Sequence, residues 1–244
     1  MISFLPAAAQ PAARELLMTP ARRIILLVGV PLILGLVAQF RVHSAFKKWG
    51  EVRATSNITG ADAAREILTA ARINDVQVVE TNDFLGDHYD PTSKQLHLST
   101  NVYSTPSVAA LGIAAHETGH AIQHAAAYAP LKLRMAIVPV TAFASNILWF
   151  VFIAGFIFHL TGLIKVALLC FLVMIVFQLI TLPVEFDASR RAKIILQQMG
   201  MVQPGQEMAG VNSVLNAAAL TYVAALVATI GQFLYYFLLS RDRN

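Results

Sequence analysis

The chain has 244 residues, of which 57% are hydrophobic and only 13% charged, with a mean hydropathy of +0.61. A soluble domain carries about 25% charged residues, so this composition excludes an ordinary water-soluble globule and equally a disordered chain. The net charge of +4 is scattered without any Lys/Arg run interleaved with aromatics, which argues against a nucleic-acid partner, and the single Cys170 excludes an internal disulfide framework or a cysteine zinc site.

Residues 1–23, rich in Ala and Pro, read as an N-terminal tail. A membrane span needs roughly 17–25 apolar residues. Four uncharged runs meet that rule: 24–40, 136–158, 166–184 and 214–239. Arg22 and Arg23 precede the first run as in a secretory signal, but no small-residue cleavage site follows it, so it reads as a retained span. The last run ends in Tyr235, Tyr236 and Phe237, an aromatic belt for the membrane interface, and residues 240–244 form a C-terminal tail.

Residues 41–133 hold about half of the charged side chains and read as an aqueous domain. Within it, Thr59-Gly-Ala-Asp62 opens a helix with apolar residues at Ala63, Ile67, Ala70 and Ala71. Asp75–Glu80 reads as a strand, Asp83–Pro91 as a turn-rich stretch, and Gln95–Ser99 as an alternating second strand. Ser104-Thr-Pro106 starts a helix, with Pro106 suited to its first position, that runs to about Ala127. The expected fold is a mainly α membrane protein, with four transmembrane helices and a small α+β domain. Four spans put residues 41–133 and 185–213 on one side of the membrane. Near the spans that side carries nine Lys and Arg residues against six on the other, which favours a multi-pass cell-membrane protein with its domain in the cytoplasm.

The second domain helix contains His116-Glu117-Thr118-Gly119-His120. Histidines at i and i+4 project from one face, so both imidazoles can reach one metal ion. Glu117 beside them can take a proton from an attacking water. The flanking residues, Val108–Ala115 and Ala121-Ile122, are apolar on nearly all sides. Polar groups buried among them need a partner, and one zinc ion supplies it. His124 lies about 12 Å from His116 along a helix and is too far to share the ion. A third ligand comes more readily from residues 185–213, which share the domain's side. Glu185 is the first choice there, at the expected start of a helix where the third span emerges. Asp187 is its competitor, but about 200° separates the two around a helix, and Arg190 or Arg191 can pair with Asp187 instead. Gly119 permits a close approach of the helix to a neighbour. Tyr222 in the last span is a further candidate to point at the site.

Three stretches carry a family resemblance: Asp87-His-Tyr-Asp-Pro91, Ala114-Ala-His-Glu-Thr-Gly-His-Ala-Ile-Gln123, and Leu182-Pro-Val-Glu-Phe-Asp-Ala-Ser-Arg-Arg191. With them the chain resembles the YugP-like, membrane-bound neutral zinc metallopeptidases, and more distantly the HtpX-type membrane proteases. The resemblance implies a zincin-like domain of the gluzincin type, with zinc on His116, His120 and Glu185 and Glu117 as base. In the HtpX-type pattern an aspartate follows the ligand glutamate by four residues. Ser189 stands there in this chain, where it can still hydrogen-bond a histidine. In zincins the strand before the motif helix binds substrate by strand addition. Gln95 and His97 are therefore candidate substrate contacts, and His88 a candidate for stabilising an oxyanion or orienting a ligand.

Two functions fit. The first is a membrane-embedded zinc endopeptidase acting on polypeptides in or near the bilayer. The alternative is an inactive zinc-binding membrane scaffold. An intramembrane protease of the site-2 type fits less well, because the partner carboxylate here is a glutamate at a span end rather than an aspartate within one.

Overall fold

The computed structural model describes residues 19–82, 86–158 and 160–241. The expected tails, 1–23 and 240–244, lie in large part outside the described residues. So do Asp83-Phe-Leu85 of the expected turn. Four helices are long and apolar enough to cross a membrane. They are α1 (Pro20–Gly50), α5 (Ala129–Ile157), α6 (Thr161–Gln198) and α7 (Gln206–Arg241). Between α1 and α5 lie α2 (Gly60–Ala70), β1 (Gln77–Thr81), β2 (His88–Asp90), β3 (Gln95–Ser99), α3 (Thr100–Tyr103) and α4 (Val108–Ala125). The chain is thus a mainly α membrane protein with a small mixed sheet.

The described residues form two compact units. One holds α1 up to Val37, Ile137–Leu179, and α7 from Val223. Its helices expose Leu32, Ile33, Phe143 and Phe150 outward, as helices solvated by lipid do. With no hydrophobic drive between helices in lipid, small residues and polar pairs bring them together. Gly231 does so here, since a Cβ on it would fall 2.1 Å from the Leu27 carbonyl oxygen. Gln178 Nε2 donates to Thr229 Oγ1 at 3.0 Å. Ala144, Leu148, Ala167, Cys170 and Phe171 form this unit's buried cluster.

The other unit is Ala38–Ala136 with Ile180–Tyr222. Its sheet has the order β1-β3-β2, with β1 parallel and β2 antiparallel to β3. Leu96 and Leu98 of β3 are fully buried against Ala64, Val102, Ala110 and Ala114, so the sheet packs on α2, α3 and α4. A second cluster gathers Trp49, Ile67, Val108, Leu111, Leu196, Val211 and Leu215 around α4. Helix caps anchor this unit. The Thr59 side chain accepts from Asp62 N–H at α2, and Ser107 Oγ from Ala110 N–H at α4.

Three local expectations need correction. Helix α4 starts at Val108, two residues after Pro106. The backbone there is taken up by pairing with residues 52–54: Ala54 N–H donates to Pro106 O and Val108 N–H to Val52 O, both at 2.9 Å. Within the expected turn, His88–Asp90 is a strand paired to β3. Glu185 does not start a helix. It sits in the middle of α6, which continues through Pro183. A proline costs one helical hydrogen bond, a loss that neighbouring helices can offset in a membrane protein.

Candidate metal centre

Helix α4 carries His116 and His120 one turn apart. Their rings lie 4.9 Å centroid to centroid and nearly perpendicular. Glu185 of α6 meets them, its Oε2 standing 3.3 Å from His116 Nε2 and 3.5 Å from His120 Nε2. One donor atom from each of the three lies within 4.8 Å of the others. Zn–N and Zn–O bonds of about 2.0–2.1 Å at tetrahedral angles put neighbouring donors about 3.3 Å apart, so this set fits a zinc ion.

The approach of α4 to α6 depends on Gly119. A Cβ there would lie 2.9 Å from the Ala188 carbonyl oxygen and 3.3 Å from Ala188 Cα. Any side chain at 119 would push α6, and Glu185 with it, away from the histidines.

Each donor is also held from behind. Glu185 is 1% exposed, and its Oε1 accepts from Arg134 Nη1 at 2.7 Å, which leaves Oε2 facing the imidazoles. Ser189 Oγ lies 3.1 Å from His116 Nδ1, and Gln123 Oε1 lies 3.0 Å from His120 Nδ1. Gln123 is itself fully buried. Its Nε2 donates to Val184 O and to Asp187 Oδ2, both at 2.9 Å. A side-chain amide oxygen only accepts, so His120 Nδ1 carries the proton and Nε2 presents its lone pair to the cluster. Histidines that bind metals are oriented by such outer contacts.

Glu117 is not one of the three donors. Its Oε2 accepts the Tyr89 N–H of β2 at 3.1 Å. Burial pushes its carboxyl above the ordinary carboxylate range, against the opposing charges of His116 and His120. A carboxyl tuned upward is better matched to accepting and returning a proton near neutral pH.

Asp187 is not in the trio. It pairs with Arg190 and Arg191 and accepts from Gln123. His124 lies outside it too, with its Nδ1 2.8 Å from the Tyr89 hydroxyl. Burial, then the charges of Asp75 and Asp90, push that phenol up to about 12. The strand-addition expectation for β3 does not hold. β3 is the central strand, with β1 paired along all of it and β2 along Gln95–His97. Gln95 and His97 therefore lie where both edges of the strand are already paired, which leaves no edge there for a substrate backbone. His88 stacks on His97 at 4.6 Å, and its Nδ1 contacts Gly86 O at 2.7 Å.

Gln123 and Arg134 escaped the sequence reading. The Tyr222 side chain lies within reach of Glu185, Glu117 and Arg134. A polar Gln three residues after His120 on an otherwise apolar helix was the available signal for Gln123. Arg134 looked like an ordinary membrane-flanking charge.

The chain thus joins four helices long and apolar enough to cross a membrane with two histidines and a carboxylate that could hold a metal ion. Residues 24–241 match the model of the family described as "Putative neutral zinc metallopeptidase", and the chain belongs to that family. It is similar to the "Putative membrane protease YugP" of Bacillus subtilis (strain 168), with 45% identity over 210 residues, 85% of this chain and 93% of the relative. No solved structure matches the chain.

Proposed function

We propose that the protein is a membrane-embedded zinc endopeptidase that hydrolyses polypeptides in or beside the bilayer. The observation that carries this reading is the convergence of His116 Nε2, His120 Nε2 and Glu185 Oε2 within 4.8 Å, with Glu117 alongside and outside the set. His116, His120 and Glu185 would hold one zinc ion. Bound there, zinc would supply Lewis acidity toward a peptide carbonyl and toward water. Arg134 holds Glu185 in its ligating orientation, while Ser189 and Gln123 fix the two rings. Glu117 takes a proton from the attacking water and passes it to the leaving amide nitrogen, its carboxyl held by the Tyr89 N–H.

A structural zinc site is usually closed by four protein ligands. Among the described residues this cluster has three, which favours a reactive centre over an inactive scaffold. The test is Glu117→Gln in the full-length protein, assayed on an unfolded polypeptide. Cleavage should fall by about 10²–10⁴-fold with the zinc retained. Unchanged cleavage by this variant removes Glu117 from the mechanism. Absence of cleavage by a zinc-loaded parent favours the scaffold.

A further inference from the structure

A second site lies apart from the metal centre and does not depend on the reading above. A groove of about 390 Å³ opens between two helical stripes. Arg41, Ser44 and Lys48 line one wall from α1, and Ser213, Asn216 and Leu220 line the other from α7. Both sets are spaced by three or four residues, so each presents one helix face. The small Ala45 and Ala217 lie between them and leave the space open. Lys193 of α6 donates to Asn216 Oδ1 at 3.0 Å, which brings a third cation to the rim. No carboxylate lines the groove among the described residues.

Its position along the chain is informative. Arg41 directly follows the uncharged run 24–40, and Ser213 directly precedes the uncharged run 214–239. Both walls therefore stand at the water ends of two spans, the depth at which lipid phosphates lie. Phe40, at the same end of α1, also lines the groove and is 73% exposed, offering an apolar surface beside the cations. Cations and hydroxyls at one end and exposed aromatic surface at the other match an amphiphile with an anionic head.

We propose that this groove binds a phosphate group presented as the headgroup of an anionic phospholipid, with Arg41 and Lys48 as charge partners and Ser44, Ser213 and Asn216 as hydrogen-bonding groups. Basic pockets between spans suit such headgroups, and each Lys or Arg near the membrane surface is worth roughly a fivefold change in binding.

The test is thermal melting of the full-length protein in detergent with added phosphatidylglycerol, phosphatidylcholine or inorganic phosphate. Phosphatidylglycerol should raise the melting temperature of the parent, and the other two should not. Arg41→Gln with Lys48→Gln should weaken the phosphatidylglycerol effect by about 30-fold in apparent affinity, while Arg41→Lys with Lys48→Arg keeps it. If the charge-removing variant folds poorly, retention of phosphatidylglycerol by the parent in native mass spectrometry, lost in 0.5 M salt on the order of a Debye length below 5 Å, carries the test instead. Equal stabilisation by phosphatidylcholine, or by phosphatidylglycerol in the charge-removing variant, overturns the proposal. A full shift from inorganic phosphate alone overturns the lipid assignment.

Discussion

Replacing Gln123 with Leu tests the support of the metal centre without touching a proposed ligand. The two side chains are of similar size, so packing is largely kept. Three hydrogen bonds go: to His120 Nδ1, Val184 O and Asp187 Oδ2. Asp187 keeps Arg190 and Arg191, so its loss is small. The His120 N–H and the Val184 carbonyl lose a partner at a fully buried position, and each such loss costs about 1–3 kcal/mol. The expected loss of stability is therefore about 2–6 kcal/mol. His120 is also freed to rotate or to change tautomer, so zinc affinity should fall about 10–100-fold, the usual effect of removing an outer partner. Chelator competition on the purified variant measures the second quantity and a melting curve the first. A variant that binds zinc within about twofold of the parent would refute the role of Gln123 in setting His120.

Gly119→Ala separates packing from helix propensity. Alanine in place of a mid-helix glycine ordinarily stabilises by about 1 kcal/mol. Here its Cβ meets the Ala188 backbone at 2.9 Å, so the change should instead destabilise by about 1–3 kcal/mol and weaken metal binding. A higher melting temperature would count against the close α4–α6 approach. Treating the zinc-loaded protein with a chelator should lower its melting temperature, because an ion that binds only the folded state at about 1,000 times its dissociation constant adds roughly 4 kcal/mol. Zinc should restore it and magnesium should not, since magnesium prefers oxygen ligands and retains its waters. Restoration by magnesium would contradict the nitrogen-rich donor set.

Much of the site was legible because its spacing is local. His116 and His120 share a helix face through the helical repeat, and their apolar neighbours signalled burial. Glu185 was reached from span parity, which brings residues 41–133 and 185–213 to one side, and the structure sets it 3.3 Å from His116. What stayed hidden depends on long-range pairing. The three residues of β2 are too short and too rich in turn formers to read as a strand, and only pairing with β3 makes them one. That pairing also turned β3 from a presumed edge into the centre of the sheet. Proline at 183 suggested a break before Glu185, whereas packing carries α6 straight through it. The partners of the ligands, Gln123 and Arg134, have no motif of their own. Their importance comes from which atom of a distant residue each one faces.

Metal stoichiometry tests the zinc centre most directly. Zinc should be measured in the full-length protein, purified in detergent and reloaded, as the parent, as Glu117→Gln and as Glu185→Ala. About one zinc per chain is expected in the parent and in Glu117→Gln, and little in Glu185→Ala, because a catalytic site of this type relies on three protein ligands. Full zinc in Glu185→Ala, or none in the reloaded parent, would contradict that expectation.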